Sequence, residues 1–119
     1  ILIRANGDIK LCDLGFSVFL TEQDKYRDSQ KGTPSWISPE IVKGIQYSKE
    51  VDVWAFGCFA FELATGEPPF HAFSHDFDVL FHAITNMPTP DLPEERGNEF
   101  QDFVNKCLMK NPEERWTLE

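Results

Sequence analysis

The chain has 119 residues, 41% hydrophobic and 13% aromatic, with 11 lysines and arginines against 20 acids for a formal charge of -9. This composition is globular and fits one domain or part of one, and the acidic balance argues against a nucleic-acid footprint or an anionic membrane surface. Three widely spaced cysteines (Cys12, Cys58, Cys107) without a CxxC read as buried thiols of a reducing, cytoplasmic compartment, not as a disulfide framework or a zinc site.

From the start, Ile1-Leu2-Ile3 and Ile9-Lys10-Leu11-Cys12 flank Ala5-Asn6-Gly7-Asp8. Two short apolar runs joined across Asn-Gly predict a β-hairpin, because both turn residues accept positive φ. The second strand delivers Asp13-Leu14-Gly15, and an acid at a strand end suits a metal or polar ligand at a cleft. From Phe16 to Ser35 periodicity disappears, and a polar loop of that length is usually functional or disordered. It carries the hydroxyls Ser17, Thr21, Tyr26, Ser29 and Thr33. Ser38-Pro39-Glu40 then reads as a helix start, with a hydroxyl cap, proline at the first position and an acid behind it. That helix should reach about Lys43 and stop at Gly44.

The longest apolar stretch follows. From Val51 to Leu63 nearly every position is apolar, which predicts a helix inside a protein core. Ser48 is expected to cap its start and Gly66 its end. The uncharged run between Asp52 and Glu62 is far shorter than the roughly 18 residues of a membrane span. Asp52 is therefore expected to enter the core and to be held there by hydrogen bonds. Gly66 to Phe70 forms a rigid Pro-Pro turn. Asp76 to Asn86 is an amphipathic helix with Phe77, Leu80, Phe81 and Ile84 on one face. A proline-rich link over Met87 to Glu95 leads to a second such helix over Asn98 to Met109, and a charged turn closes on Arg115-Trp116. The three histidines, without an HExxH, read as surface residues. Both ends look like cuts through ordered structure, so a fragment is expected.

In order and spacing, Asp13-Leu14-Gly15, Gly32-Thr33-Pro34 with Trp36, Ser38-Pro39-Glu40, Asp52-Val53-Trp54-Ala55-Phe56-Gly57, Gly66-Glu67-Pro68-Pro69-Phe70 and Asn111-Pro112 ahead of Arg115 resemble the C-terminal lobe of a eukaryotic protein kinase. The form Gly-Thr-Pro-x-Trp looks like the serine/threonine class, closest to the sterile-20-like groups. The resemblance covers the whole chain and implies a mainly α fold: a partial kinase domain over 1–119, with a short hairpin before the activation segment and helices packed around a buried central helix. The N-terminal lobe and catalytic loop, including the base, would lie outside it.

Function and roles then follow as implications. The activity would be ATP- and Mg²⁺-dependent phosphoryl transfer to protein Ser/Thr hydroxyls in a longer protein, the fragment itself being inactive. Asp13 would bind Mg²⁺, and Leu14 stands where the family usually has Phe. Leu2 would pack under the adenine ring. Thr33 would contact the catalytic loop, and Pro34 and Ile37 would shape the pocket for the residue after the acceptor. Ser29 would be a regulatory phosphosite for an upstream kinase. Glu40 and Arg115 would form a buried ion pair, Asp52 would hold the catalytic-loop backbone, and Glu62 would attract a basic substrate residue. A pseudokinase or scaffold that keeps the fold for protein binding is the alternative.

Overall fold

The computed structural model describes residues 1–118. It is mainly helical. A hairpin pairs β1 (Leu2–Ile3) with β2 (Ile9–Lys10) antiparallel, Leu2 opposite Lys10 and Ile3 opposite Ile9. Four helices follow: α1 (Pro39–Val42), α2 (Glu50–Thr65), α3 (Phe77–Asn86) and α4 (Asn98–Cys107). Short 3₁₀ turns at Leu14–Phe16, Pro34–Trp36, His71–Phe73 and Glu94–Arg96 punctuate the links. No helix among the described residues is long and apolar enough to cross a membrane.

The hairpin turn differs in detail from expectation. Gly7 N–H closes on the Arg4 carbonyl at 2.9 Å, and Gly7 alone takes positive φ, at 89°. The loop is long enough for a glycine after an ordinary turn to reverse the chain, so Asn6 need not go left-handed. Its side chain braces the loop instead, accepting from Asp8 N–H at 3.2 Å.

Helix α2 organises the core. Trp54, Cys58, Ala60, Phe61 and Ala64 pack with Leu80, Ala83 and Ile84 of α3 and with Val104 and Leu108 of the α4 end. Gly57 lets α4 approach: a Cβ there would stand 2.7 Å from Cys107 Cβ and 2.9 Å from Leu108 Cδ2. Helix α3 is capped as its sequence suggests, Asp76 accepting from the Asp78 and Val79 amides. Gly66, at φ 90°, ends α2 with its N–H on Glu62 O, while Arg96 donates to the Ala64 carbonyl at 2.7 Å. Two of the orphan carbonyls at that helix end are thereby satisfied.

Several expectations are corrected here. Helix α2 is not buried all round. Asp52, Phe56 and Leu63 are exposed, and with half-buried Phe59 they form one open stripe at helical spacing. The Asp52 carboxylate has no hydrogen-bond partner among the described residues, although partial burial still raises it above the ordinary 3.8. Ser48 does not cap α2. The cap position is Lys49, already in helical dihedrals, where a side chain cannot reach back to the first amides. Ser38 has the extended dihedrals of a cap but its Oγ is buried without a partner, and nothing in the surrounding geometry explains why. Cys12 is exposed while Cys58 and Cys107 are buried. Phe77 lies outside the core, stacked on Phe81.

One ion pair ties the two ends of the helical part together. Arg115 Nη1 and Nη2 donate to Glu40 Oε1 and Oε2 at 2.6 and 3.0 Å, with both side chains buried. The same guanidinium donates to Glu50 O at 2.8 Å and Met109 O at 3.0 Å, and lies 5.2 Å from the Trp54 ring. Lys110 repeats the pattern, with its Nζ 5.1 Å from the Trp54 ring. Its Nζ donates to Ile84 O at 2.6 Å and sits 4.3 Å from the Phe70 ring. Burial lowers this ammonium from 10.5 to about 8, and burial raises the nearby Cys58 thiol from 9.0 to about 12.

Two predictions follow for the protein that carries this chain. Glu40→Ala strands a buried guanidinium and should cost about 3–5 kcal/mol in denaturant unfolding. A double variant with Arg115→Met should cost less than the sum of the two single changes, and strict additivity would deny the coupling. The second concerns pH. Between about 8 and 10.5 the unfolded chain holds the Lys110 proton that the folded chain has lost, so stability rises with pH across that window. From about 9 to 12 folded Cys58 keeps a proton that the unfolded chain loses, and stability falls. Lys110→Met should abolish a rise in the unfolding midpoint between pH 8 and 9, while Cys58→Ala should extend that rise to about pH 10.5.

Candidate functional site

The residues after β2 do not form a third strand. Asp13 turns the chain with φ 61° and ψ 57°, a left-handed conformation uncommon for a residue with a Cβ. Its carboxylate stays exposed and, among the described residues, has no hydrogen-bond partner. A non-glycine residue held in this way is a marker of functional sites. Leu14, on the following turn, is 68% exposed, so it lies outside the core of these residues.

The loop beyond is shaped by polar contacts rather than by a core. Arg27 spreads its guanidinium over Asp24 Oδ1, Tyr26 O and Phe19 O, closing the first half of the loop on itself. Arg27 and Tyr47 exchange both main-chain hydrogen bonds at 2.8 Å in an isolated antiparallel bridge. Two residues on, Ser29 Oγ lies 2.8 Å from Tyr47 Oη, which itself donates to Ser29 O at 2.9 Å. Gly32 then takes φ 135° where a Cβ would collide with Ile37 Cγ2 at 2.6 Å. Only glycine fits that bend. Thr33 precedes the Pro34–Trp36 turn in extended conformation, and Trp36 Nε1 donates to Glu62 Oε2 on α2 at 3.3 Å.

These segments enclose an open cleft of about 860 Å³. Its walls bring together Asp13, Ser29, Thr33, Ile37 and Asp52, which lie far apart in the sequence. Trp36, Ser38, Tyr47 and the cations Arg27, Lys31 and Lys49 also line it. Pro34 heads the neighbouring turn, and Glu62 reaches the cleft only through Trp36. Leu2, exposed on β1, does not line it. Glu40 and Arg115 sit behind the cleft and fix where the loop rejoins the core. The cleft therefore presents two carboxylates, Asp13 and Asp52, beside a threonine hydroxyl and the cations Arg27, Lys31 and Lys49. That arrangement suits an anionic, oxygen-rich ligand bridged by a hard cation.

No group of three or more His, Cys, Asp or Glu among the described residues could form a metal cage. The donor set at Asp13 fits Mg²⁺ in another way, since that ion is usually held by one or two carboxylates with waters and phosphate oxygens supplying the rest. Tyr47 escaped sequence reasoning. It sits in the short polar link between α1 and α2, where no periodicity singles it out.

Comparison with known proteins agrees with the architecture. The family model described as "Protein kinase domain" matches residues 1–119. Among curated relatives, the serine/threonine-protein kinase cst-1 of Caenorhabditis elegans is 40% identical over 118 residues, 98% of this chain and 24% of its own length. Serine/threonine-protein kinases pakB and pakA of Dictyostelium discoideum are 39% and 41% identical, over 97% of this chain in each case and 14% and 10% of their own lengths. The chain thus spans a quarter or less of each of these relatives. With the helical frame, the Asp13 cleft and these matches in agreement, the chain belongs to the protein kinase family, among its serine/threonine members.

Proposed function

We propose that residues 1–119 are the C-terminal-lobe portion of a longer serine/threonine protein kinase that transfers the γ-phosphoryl group of ATP to hydroxyls of protein substrates. The observation that carries this is the placement of Asp13 and Thr33, 20 positions apart, on the wall of one cleft. Supporting it, the relatives are four to ten times longer than this chain, and the apolar stripe of α2 and every residue from 1 to 26 stand exposed, as surfaces awaiting further structure do.

Each residue has an assigned part. The Asp13 carboxylate would hold Mg²⁺, which would supply neutralisation of the triphosphate charge of ATP. Thr33 positions the catalytic loop, whose base is assigned to a segment outside residues 1–119. Pro34 and Ile37 receive the residue after the acceptor. Glu62, with Oε2 engaged by Trp36, offers Oε1 to a basic substrate residue. Asp52 takes the main chain of the catalytic loop, which would supply the hydrogen bonds that its carboxylate lacks here. Leu2 meets the adenine face through that same added structure. Ser29 is phosphorylated by an upstream kinase, adding about -1.5 to -2 charge to the loop. Family likeness points to the sterile-20-like groups.

In the full-length protein, Asp13→Ala should cut peptide phosphorylation by a factor on the order of 10³ while leaving the thermal midpoint unchanged, because positioning and charge neutralisation dominate this reaction. Retained activity would reject Asp13 as the metal ligand. Ser29→Ala should lower turnover several-fold, and equal rates for phosphorylated and unphosphorylated protein would remove its regulatory part.

A further inference from the structure

We propose that Tyr47 is a latch that holds the 27–31 segment while Ser29 is unmodified, and that a phosphate on Ser29 opens it; this rests on Ser29 being the regulatory phosphosite. The proton inventory carries it. A tyrosine hydroxyl has one proton, and Tyr47 Oη spends it on Ser29 O at 2.9 Å. In the 2.8 Å contact between Ser29 Oγ and Tyr47 Oη, the serine must therefore be the donor. The two hydroxyls lock each other, and the Arg27–Tyr47 main-chain bridge continues the clasp.

The rest of the loop offers little to replace it. Residues 1 to 26 are exposed, as are residues 28 to 33, so no apolar burial fixes the segment. Position 47, by contrast, is half-buried and joined directly to the α2 entry. The clasp thus fastens a coreless loop to the frame.

Phosphorylation changes this contact in kind. An Oγ–P bond forms, the bond from γ-phosphorus to its bridging oxygen in ATP breaks, ADP leaves, and the serine proton passes to solvent. The ester oxygen has no proton to give. Tyr47 must then choose between the Ser29 carbonyl and a phosphate oxygen, and the bulk of the phosphate cannot occupy a 2.8 Å contact. Lys31, which lines the same cleft two residues on, offers the phosphate a cation elsewhere. Phosphorylation removes the serine-donated half of the latch and leaves the tyrosine's own hydrogen bond in competition with the phosphate.

The test is hydrogen exchange at the position-47 and Arg27 amides in the full-length protein. Wild type freed of phosphate, Tyr47→Phe, Ser29→Ala and protein with genetically encoded phosphoserine at 29 are compared, with peptide phosphorylation assayed in parallel. Exchange should quicken about tenfold in Ser29→Ala and in the phosphoserine protein, a factor matching the net worth of roughly one hydrogen bond, and by more in Tyr47→Phe, which loses two. The double variant Tyr47→Phe/Ser29→Ala should exchange no faster than Tyr47→Phe, which already removes both hydroxyl contacts. Wild-type protection in Tyr47→Phe, or in the phosphoserine protein, overturns the latch. If activity changes with phosphoserine while position 47 stays protected, the latch fails and the phosphosite stands. If position 47 is released without a change in activity, the latch is supported and the regulatory part of Ser29 fails.

Discussion

The fold depends on a guanidinium buried among acceptors. Arg115 gives both carboxylate oxygens of Glu40 a hydrogen bond and uses two more of its five N–H donors on Glu50 O and Met109 O. A buried charge is tolerable only when paired and fully bonded, so the four segments that supply these groups must arrive together. The loop end at α1, the first turn of α2, the chain after α4 and the closing turn are thereby placed by one side chain. Trp54 is the floor of this arrangement, with Arg115 near its ring and Lys110 also over it.

From that fixed point the cleft follows. The loop that forms its wall has no apolar core of its own, yet its far end is held by Glu40 and its middle by the Arg27–Tyr47 bridge. Gly32 supplies the single bend at which a side chain would strike Ile37. Between these anchors Thr33 and Ile37 come to face the same space as Asp13. A surface loop with few buried contacts is a low-stability region, which is where a regulated segment is expected. The neighbouring frame is rigid by contrast, with Trp54, Leu80 and Ile84 at or near zero exposure.

Much of this was legible in the residues. Periodicity placed α3 and α4 within a residue or two, and Gly66 and Asp76 acted at the helix ends as their chemistry suggests. Local pattern failed where a decision belongs to tertiary context. Ser38 and Ser48 carry the right hydroxyl for a cap and make no cap bond; at α2 the cap position falls on Lys49 in helical dihedrals, and at Ser38 the dihedrals suit a cap that is not made. Phe70 and Asp13 take positive φ, which no composition announces. Cys12 was expected inside and is exposed. The ordered motifs named the participants of the cleft, but the Ser29–Tyr47 contact joins residues 18 positions apart through a two-residue bridge, and nothing periodic encodes it.

The open stripe of α2 shows why a uniformly apolar helix is ambiguous. Asp52, Phe56, Phe59 and Leu63 follow one another at helical spacing along one side, while Trp54, Cys58 and Phe61 fill the other. Apolar character on both sides means that both sides are meant to be covered. One side is covered by α3 and α4 within these residues. On the other, a carboxylate stands among aromatic and aliphatic neighbours with its pKa already raised by burial. Covering that stripe with purely apolar structure would strand the charge, so whatever packs there must bring hydrogen-bond donors to the Asp52 end and apolar surface to the Phe56–Leu63 end. A turn of main chain leading into an amphipathic helix meets both demands, and a lone helix side cannot meet the first.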